Sequence, residues 1–288
     1  MFIPSKLLWL QRWESRQVLG IIRFKNKITH EHLLKGKVSK LPLPYYFFSD
    51  VHFSTELTNN ELEKRKKVFT ILDHLKQSGG SLFILGDFFD FWWDQGSYIP
   101  SQLKDVYNYL SDLRKAKVPI HLIGGNHDFW LYKFLCPSLG IIFYDDHMDF
   151  HSDGLRFYLT HGDGLLKNDT GYRWMKRVLR CPLAIWGLDR FHIEGIYRTA
   201  RLISHTSRKH SNEKWSDLKA MADEMLDYLQ MKNHQGYHIA MMGHVHYPSV
   251  RKDNSKIAIV LGDWMTHQHY AVWDGKTLSH VKWDESSE

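Results

Sequence analysis

Five short apolar runs in this chain each give way, within a few residues, to side chains that a hydrophobic core rejects. YYFF at 45–48 leads to Asp50 and His52, SLFIL at 81–85 to Asp87 and Asp90, and PIHLI at 119–123 to Asn126, His127 and Asp128. LRFYL at 155–159 leads to His161 and Asp163, and HIAMM at 238–242 to His244 and His246. Apolar runs of this length between turn residues read as buried strands. IIFY at 141–144, KIAIVL at 256–261 and YAVW at 270–273 are further strand candidates, the later ones joined by short connections and therefore antiparallel or mixed. Residues 61–77 place Leu62, Val68, Leu72 and Leu75, and residues 101–115 place Leu103, Val106, Leu110 and Leu113, at helical spacing. Strands alternating with helices predict an α/β fold with βαβ units. Ligands of open α/β sheets bind outside the carboxyl ends of the strands. Five such ends would gather carboxylates, imidazoles and one amide in a single crevice.

Each block alone says little, since a lone histidine near a strand end is usually structural and an Asp before a helix is often only a cap. Five blocks in order, every one offering oxygen or nitrogen donors, argue for a metal site. Carboxylates, imidazoles and an amide without a thiolate suit Mn²⁺, Fe²⁺ or Zn²⁺ in a working site better than a cysteine-rich structural zinc. Seven donors exceed one tetrahedral site and fit two divalent metal ions sharing a carboxylate. Two metals ~3.5–4 Å apart clamp the attacking and leaving oxygens of a phosphoryl transfer and ionise a bridging water near neutral pH.

Composition narrows the setting. A chain of 288 residues buries a full core, as one large domain or one with an inserted subdomain. Two cysteines in unrelated settings, Cys136 and Cys181, make no disulfide framework, which points to a reducing, cytoplasmic compartment. No run reaches the ~18 apolar residues of a membrane span, and arginine interrupts the first apolar stretch too early for a secretory signal. The net charge of +6 is uneven: nine Lys or Arg and two Glu within residues 1–44 give that extension +7, leaving −1 on the body. A near-neutral body gives no reason to expect nucleic acid as a partner. The extension interleaves its cations with Leu7, Leu8, Trp9, Leu10 and Trp13, a composition that suits an anionic membrane surface and equally an arm packed on the body.

Residues 165–232 break the strand–helix rhythm. Trp174, Met175, Val178, Leu179, Leu183 and Trp186 alternate there with Arg173, Lys176, Arg177 and Arg180. A helical pattern through Leu218, Ala222, Met225 and Leu229 closes the segment. The expected organisation is an extension over 1–44, a core over 45–164 and 233–288, and a helical insertion, or lid, over 165–232.

The blocks D-x-H, GD-x-x-D, GNHD, HGD and GH-x-H, in this order across residues 45–265, resemble the calcineurin-like metallophosphoesterase superfamily. The resemblance implies a double β-sheet sandwich flanked by helices, and hydrolysis by a metal-bound hydroxide attacking phosphorus. It implies that Asp50, His52 and His246 hold one metal, that Asn126, His161 and His244 hold the other, and that Asp87 bridges them. His127 would face the phosphate or its leaving oxygen, with Asp128 hydrogen-bonded behind it. More finely, HGDGLLKNDTGYRWMKRVLRCPL, SRKHSNEKW, LGDW and GDFFDFWW are similar to the UDP-2,3-diacylglucosamine diphosphatases of the lipid A pathway. That likeness implies a lipid-linked nucleotide substrate, UDP-2,3-diacylglucosamine, cleaved to 2,3-diacylglucosamine 1-phosphate and UMP. It implies a lid that takes the acyl chains, and peripheral contact with the cytoplasmic face of the inner membrane. It assigns Asp169 to the glucosamine, and Ser207, Ser211 and Lys214 to the sugar or phosphate. Many members of that family carry Arg where this chain has His127, and the basic extension lies outside the family pattern. A metallophosphoesterase acting on another nucleotide diphosphate or phosphodiester, and a non-enzymatic scaffold on the same fold, are the alternative readings.

Overall fold

Tyr45 to Phe48 alternate between two environments, and that alternation sets the layering of the molecule. The computed structural model describes residues 41–200 and 215–284. Strand β1 (Tyr45–Phe48) runs parallel to β2 (Ser81–Ile84), β3 (Ile120–Ile123) and β4 (Ile142–Tyr144), with Tyr45 opposite Ser81 and Leu82 opposite Ile120. Side chains one residue apart on a strand face opposite sides. Tyr46, Phe48, Leu82, Ile84 and Leu122 therefore pack outward against helices α1 (Asn59–Ser78) and α2 (Lys104–Lys115). Tyr45, Phe47 and Phe83 pack inward against a second sheet, where Phe157, Leu159, Met241 and Ile259 meet them.

The first sheet has the order β11-β10-β1-β2-β3-β4 and the second β5-β6-β7-β9-β8. The second comprises β5 (His147–Ser152), β6 (Leu155–Thr160), β7 (Ile239–Met242), β8 (Ser249–Asp253) and β9 (Lys256–Val260). Its β6, β7 and β9 are parallel, and β5 and β8 close its edges antiparallel. Strands β10 (His269–Trp273) and β11 (Leu278–Lys282) return to the first sheet as an antiparallel pair beside β1. The mixed α/β sandwich expected from the sequence is thus observed, with the later strands antiparallel at the edges.

Helix α1 departs from its apolar pattern. Leu62 points to solvent, while Glu61, Lys64 and Arg65 are buried. Glu61 pairs with Lys64 at 2.6 Å and with Arg65 at 2.8 Å, and Arg65 reaches Asp105 on α2. Buried charges persist when paired and hydrogen-bonded. Here the cations also donate to the carbonyls of His52 (2.7 Å) and Ser54 (2.6 Å), so the network props up the loop that follows β1.

In the insertion, α4 (Thr170–Leu179), α5 (Pro182–Leu188) and a helical stretch at 193–200 follow the short α3 (Leu135–Leu139) in chain order. The next helix is α6 (Trp215–His234). Ala222, Met225, Leu226 and Leu229 lie against Tyr158, Ala240, Met242, Ala258 and Val260 on the outer face of the second sheet. The second sheet thus buries the apolar stripe of the last helix of the expected insertion. Phe47 is fully buried between the sheets and stacks on Phe83 with ring centroids 5.0 Å apart. Phe47→Ala is expected to lower the unfolding free energy by about 3–5 kcal/mol, read as a fall in the urea midpoint at constant slope.

Candidate metal centre

The polar residues after the strands are aimed by backbone that departs from extended geometry. Asp50, His52, Asp87 and His244 adopt φ of 51°, 49°, 51° and 68°. That left-handed region is unfavourable for residues with a Cβ, and it is held only where the surroundings over-determine it. Here the N–H of Asp50 bonds the Gly86 carbonyl (3.2 Å) and that of His52 the Asp87 carbonyl (3.0 Å), so the loops after β1 and β2 hold each other. Two glycines make room. A Cβ on Gly125 would collide with the Asp87 carboxylate, and one on Gly243 with the Ser49 hydroxyl.

The seven expected donors come from both sheets. Asp50, His52, Asp87 and Asn126 follow β1, β2 and β3, while His161, His244 and His246 follow β6 and β7. Asp50 Oδ1 lies 3.3 Å from His246 Nε2 and 3.7 Å from His52 Nε2. Asp50 Oδ2 accepts from the His244 N–H at 2.8 Å, a link between the two sheets. Asp87 Oδ2 faces His52 Nε2 at 3.8 Å, His161 Nε2 at 3.4 Å and His127 Nε2 at 4.0 Å. Asn126 Oδ1 lies 3.1 Å from His161 Nε2, and the His244 ring stands edge-on to that of His161 with centroids 5.2 Å apart. One oxygen of Asp87 thus looks toward both groups of imidazoles, where a bridging ligand belongs.

Whether these residues fit cations is decided by their unmatched atoms. Asp50 Oδ1 and both ring nitrogens of His52 are buried and make no hydrogen bond. Buried polar atoms left in that state are costly, and a divalent cation satisfies such acceptors. The sets Asp50–His52–His246 and Asp50–Asp87–His161 each bring three donor atoms within 4.8 Å of one another. The donors therefore fit divalent metal ions.

Electrostatics agree. Burial opposes ionisation of Asp50, but His246 and His52 overcome it and hold the carboxyl well below the usual range. Burial likewise opposes ionisation of Asp87, and the charges of His161 and His127 hold it low. Burial works against a proton on His161, yet Asp87 raises its pKa to about 10. His244 is pushed down to about 4, by burial first and then by the charge of His161. A site that keeps both carboxylates ionised and holds His244 and His52 toward the neutral form offers a cation the ligand states that it needs.

His127 and Asp128 do not form the expected pair. Nδ1 of His127 lies 2.6 Å from the carbonyl oxygen of Asp90, which only accepts, so Nδ1 carries the proton and Nε2 faces the centre. Asp90 also places Oδ1 3.8 Å from His52 Nδ1. Asp128 works elsewhere: Oδ1 accepts from Gly125 N–H (3.0 Å) and Asp87 N–H (3.2 Å), and Oδ2 from Phe88 N–H (2.7 Å) and Phe89 N–H (3.2 Å). It fastens the loop after β3 to the loop after β2, and the orienting group of His127 is the Asp90 backbone.

Other residues around the centre were quoted in the sequence blocks without a role, or not singled out at all. Asp163 is buried and pairs with Lys176 of α4 at 2.8 Å. Asp263, in the LGDW stretch, is buried, pairs with His267 at 2.7 Å and stands 4.0 Å from His246 Nδ1. Lys64, bonded to the His52 carbonyl, has no motif to mark it; burial of a helical lysine is its sole sign. Asp169 caps the start of α4 and its carbonyl accepts from Arg173 N–H at 2.8 Å. Ser207, Ser211 and Lys214 lie outside the described residues, as does most of the 1–44 extension.

His161 donates Nδ1–H to the Leu85 carbonyl at 2.8 Å, so the proton that a metal must displace sits on Nε2. With that pKa raised to about 10, the metal-free site is protonated at pH 7 and metal binding releases a proton. Affinity for Mn²⁺ is expected to rise with pH from 7 to about 10, with proton release visible when calorimetry is repeated in buffers of different ionisation enthalpy. In His161→Asn the release should fall by the part that His161 supplies, leaving that of His246, whose pKa Asp50 also raises against burial.

The family model described as calcineurin-like phosphoesterase matches residues 43–248. A Porphyromonas gingivalis protein named UDP-2,3-diacylglucosamine hydrolase is 28% identical over 249 residues, covering 81% of this chain and 95% of that one. A protein of the same name from Pseudomonas fluorescens Pf-5 is 30% identical over 225 residues, covering 75% and 85%. Among solved structures, an archaeal phosphodiesterase aligns with a TM-score of 0.44 and 15% identity, over 84% of this chain and all of its own. The matched stretch begins just before β1 and ends just after His246, so it takes in every donor described above. The chain belongs to the calcineurin-like phosphoesterases and is a metal-dependent hydrolase.

Proposed function

We propose that the protein hydrolyses the diphosphate of UDP-2,3-diacylglucosamine, giving 2,3-diacylglucosamine 1-phosphate and UMP, with two Mn²⁺ ions in the centre. The observation that carries this reading is an apolar surface beside the metal site. On α4, Trp174 is 68% exposed, and on α5 Leu183 is 75% and Trp186 56% exposed. Met175, Val178, Leu179 and Phe191 are exposed as well. Monomeric proteins rarely leave so many large apolar groups together unless the patch binds something. Arg173, Lys176, Arg177 and Arg180 share α4 or its end with these residues. An acyl chain needs the apolar groups and a diphosphate needs the cations. The names carried by the curated relatives support the same substrate.

When bound, the two cations supply Lewis acidity toward a phosphoryl oxygen and lower the pKa of water. The chain does the rest. Asp50, His52 and His246 would hold one ion and Asn126, His161 and His244 the other, with Asp87 placed between the two groups of donors. His127 Nε2, kept facing the centre by the bond from Nδ1 to the Asp90 carbonyl, is placed to reach the departing phosphate oxygen, and as the imidazolium, with a proton on both ring nitrogens, it would donate the Nε2 proton to it. Asp169, Ser207, Ser211 and Lys214 remain the proposed contacts to the sugar and phosphate. Among the described residues no helix is long and apolar enough to cross a membrane. In this reading the exposed face of α4 and α5 meets a lipid substrate at the cytoplasmic surface of the inner membrane.

The purified protein with Mn²⁺ is expected to release UMP from UDP-2,3-diacylglucosamine, and a chelator to abolish the release. Asp87→Ala should lose turnover by more than about a thousandfold (about 4 kcal/mol of transition-state stabilisation) while keeping its far-UV circular dichroism. Metal-dependent cleavage of bis-p-nitrophenyl phosphate without UMP release would move the protein to another phosphodiester or nucleotide diphosphate. Trp174→Glu together with Leu183→Glu should raise KM for the acylated substrate at least tenfold and leave bis-p-nitrophenyl phosphate hydrolysis unchanged.

A further inference from the structure

The loop that carries Asn126 is held from three sides. Asp128 takes the Gly125 N–H at 3.0 Å, and Asp87 Oδ1 takes the His127 N–H at 2.9 Å. Both belong to the core. The third hold comes from the insertion: Arg180, at the C-terminal end of α4, donates Nη2–H to the Gly125 carbonyl at 2.9 Å. Its guanidinium also lies 3.8 Å from the centroid of the Phe129 ring, on the far side of the same loop. A planar fork that both stacks and donates constrains its target more than a point charge does.

Arg180 is itself placed by Asp163. The Asp163 carboxylate lies 3.5 Å from Arg180 Nη2, 2.8 Å from Lys176 Nζ, and accepts from the Tyr172 hydroxyl at 2.7 Å. The Asp163 side chain is 5% exposed and stands two residues after His161. A single buried carboxylate beside one metal ligand therefore gathers three residues of α4, and one of those three grips the loop of another ligand. The carboxylate also offsets two cations that would otherwise repel a metal ion nearby.

We propose that Arg180, held by Asp163, is a positioning residue for Asn126, so that the helical insertion forms part of the site of the metal bound by Asn126, His161 and His244. This rests on the two-metal reading of the centre. Removing the arginine leaves the Gly125 carbonyl without its donor from α4 and frees the Asn126 side chain to drift from the donor set. Outer partners of this kind set metal affinity by about 10–100-fold. The Asp50–His52–His246 set has no contact with α4 in this network, so the effect falls on one ion and spares the other.

Mn²⁺ binding to the full-length protein and to Arg180→Met, Arg180→Lys and Asp163→Asn tests this, by calorimetry with electron paramagnetic resonance of bound and free Mn²⁺. The wild type is expected to bind two ions. Arg180→Met and Asp163→Asn should weaken one of them about tenfold or more and leave the other unchanged, and Arg180→Lys should recover part of the loss. Unchanged affinity at both sites, with only kcat/KM lowered, would overturn the proposal and make Arg180 a substrate contact. Equal weakening of both sites together with a lower melting temperature of the metal-free protein would overturn it too, as a general loss of fold. If Arg180→Met does not fold, Arg180→Lys and Asp163→Asn carry the same test. A wild type that binds fewer than two ions fails the two-metal reading itself, which separates that failure from failure of the latch.

Discussion

A single oxygen, Asp87 Oδ2, stands within 4.0 Å of three imidazole nitrogens drawn from both sheets, and the rest of the centre is arranged around it. To reach that place the backbone after β2 must turn through a left-handed residue, and Gly125 must lack a side chain where the carboxylate passes. Asp128 answers the resulting tension by bonding four backbone N–H groups from two loops. Burial and the charge of Asp87 push its pKa up to about 6, and the bonds from Gly125 and Phe89 pull the other way. Strain at one position and a buried carboxylate at another belong to one design: a donor set held in place by backbone bonds between two loops.

The core and the insertion divide the work. The sandwich places reactive groups at strand ends, where the backbone is fixed by two packed faces. The insertion presents an apolar, cationic surface that the core lacks, and its short helices α4 and α5 bury none of their own residues. It docks instead through apolar contacts, Ile196 and Tyr197 against Trp93 and Trp130, and through the ionic cluster at Asp163. The insertion and the loop that carries Asn126 thus meet at a few polar bonds.

Much of this was legible in the sequence because strand ends and ligands coincide. Tyr45–Phe48, Ser81–Ile84, Ile120–Ile123 and Ile239–Met242 are interior strands buried at every residue, so their apolar runs are continuous and the polar residues after them stand out. The strands that escaped were β5, β8 and β11, with sequences HMDFHS, SVRKD and LSHVK. All three are edge strands, and a half-exposed edge reads as a loop. The α6 stripe was read as helical but its destination was not, since a stripe does not say which surface covers it. The role of Asp128 escaped for a similar reason: adjacency in GNHD suggests a partner for His127, whereas the carboxylate turns to backbone donors distant in sequence. Lys64 and Arg65 look like ordinary helix-surface cations until the chain folds the β1 loop over them.

The division of donors between the sheets carries a consequence for the protein as a material. Asp50, His52, Asp87 and Asn126 hang from one layer, His161, His244 and His246 from the other, and the layers also meet through apolar contacts such as Phe47 on Phe157 and a few polar bonds such as His244 N–H to Asp50. A cation held by both is a rivet through the sandwich. It binds the folded chain and not the unfolded one, so its free concentration enters directly into how firmly the layers stay together. A divalent metal ligated by both layers would then set the stability of the fold as well as the chemistry at its strand ends.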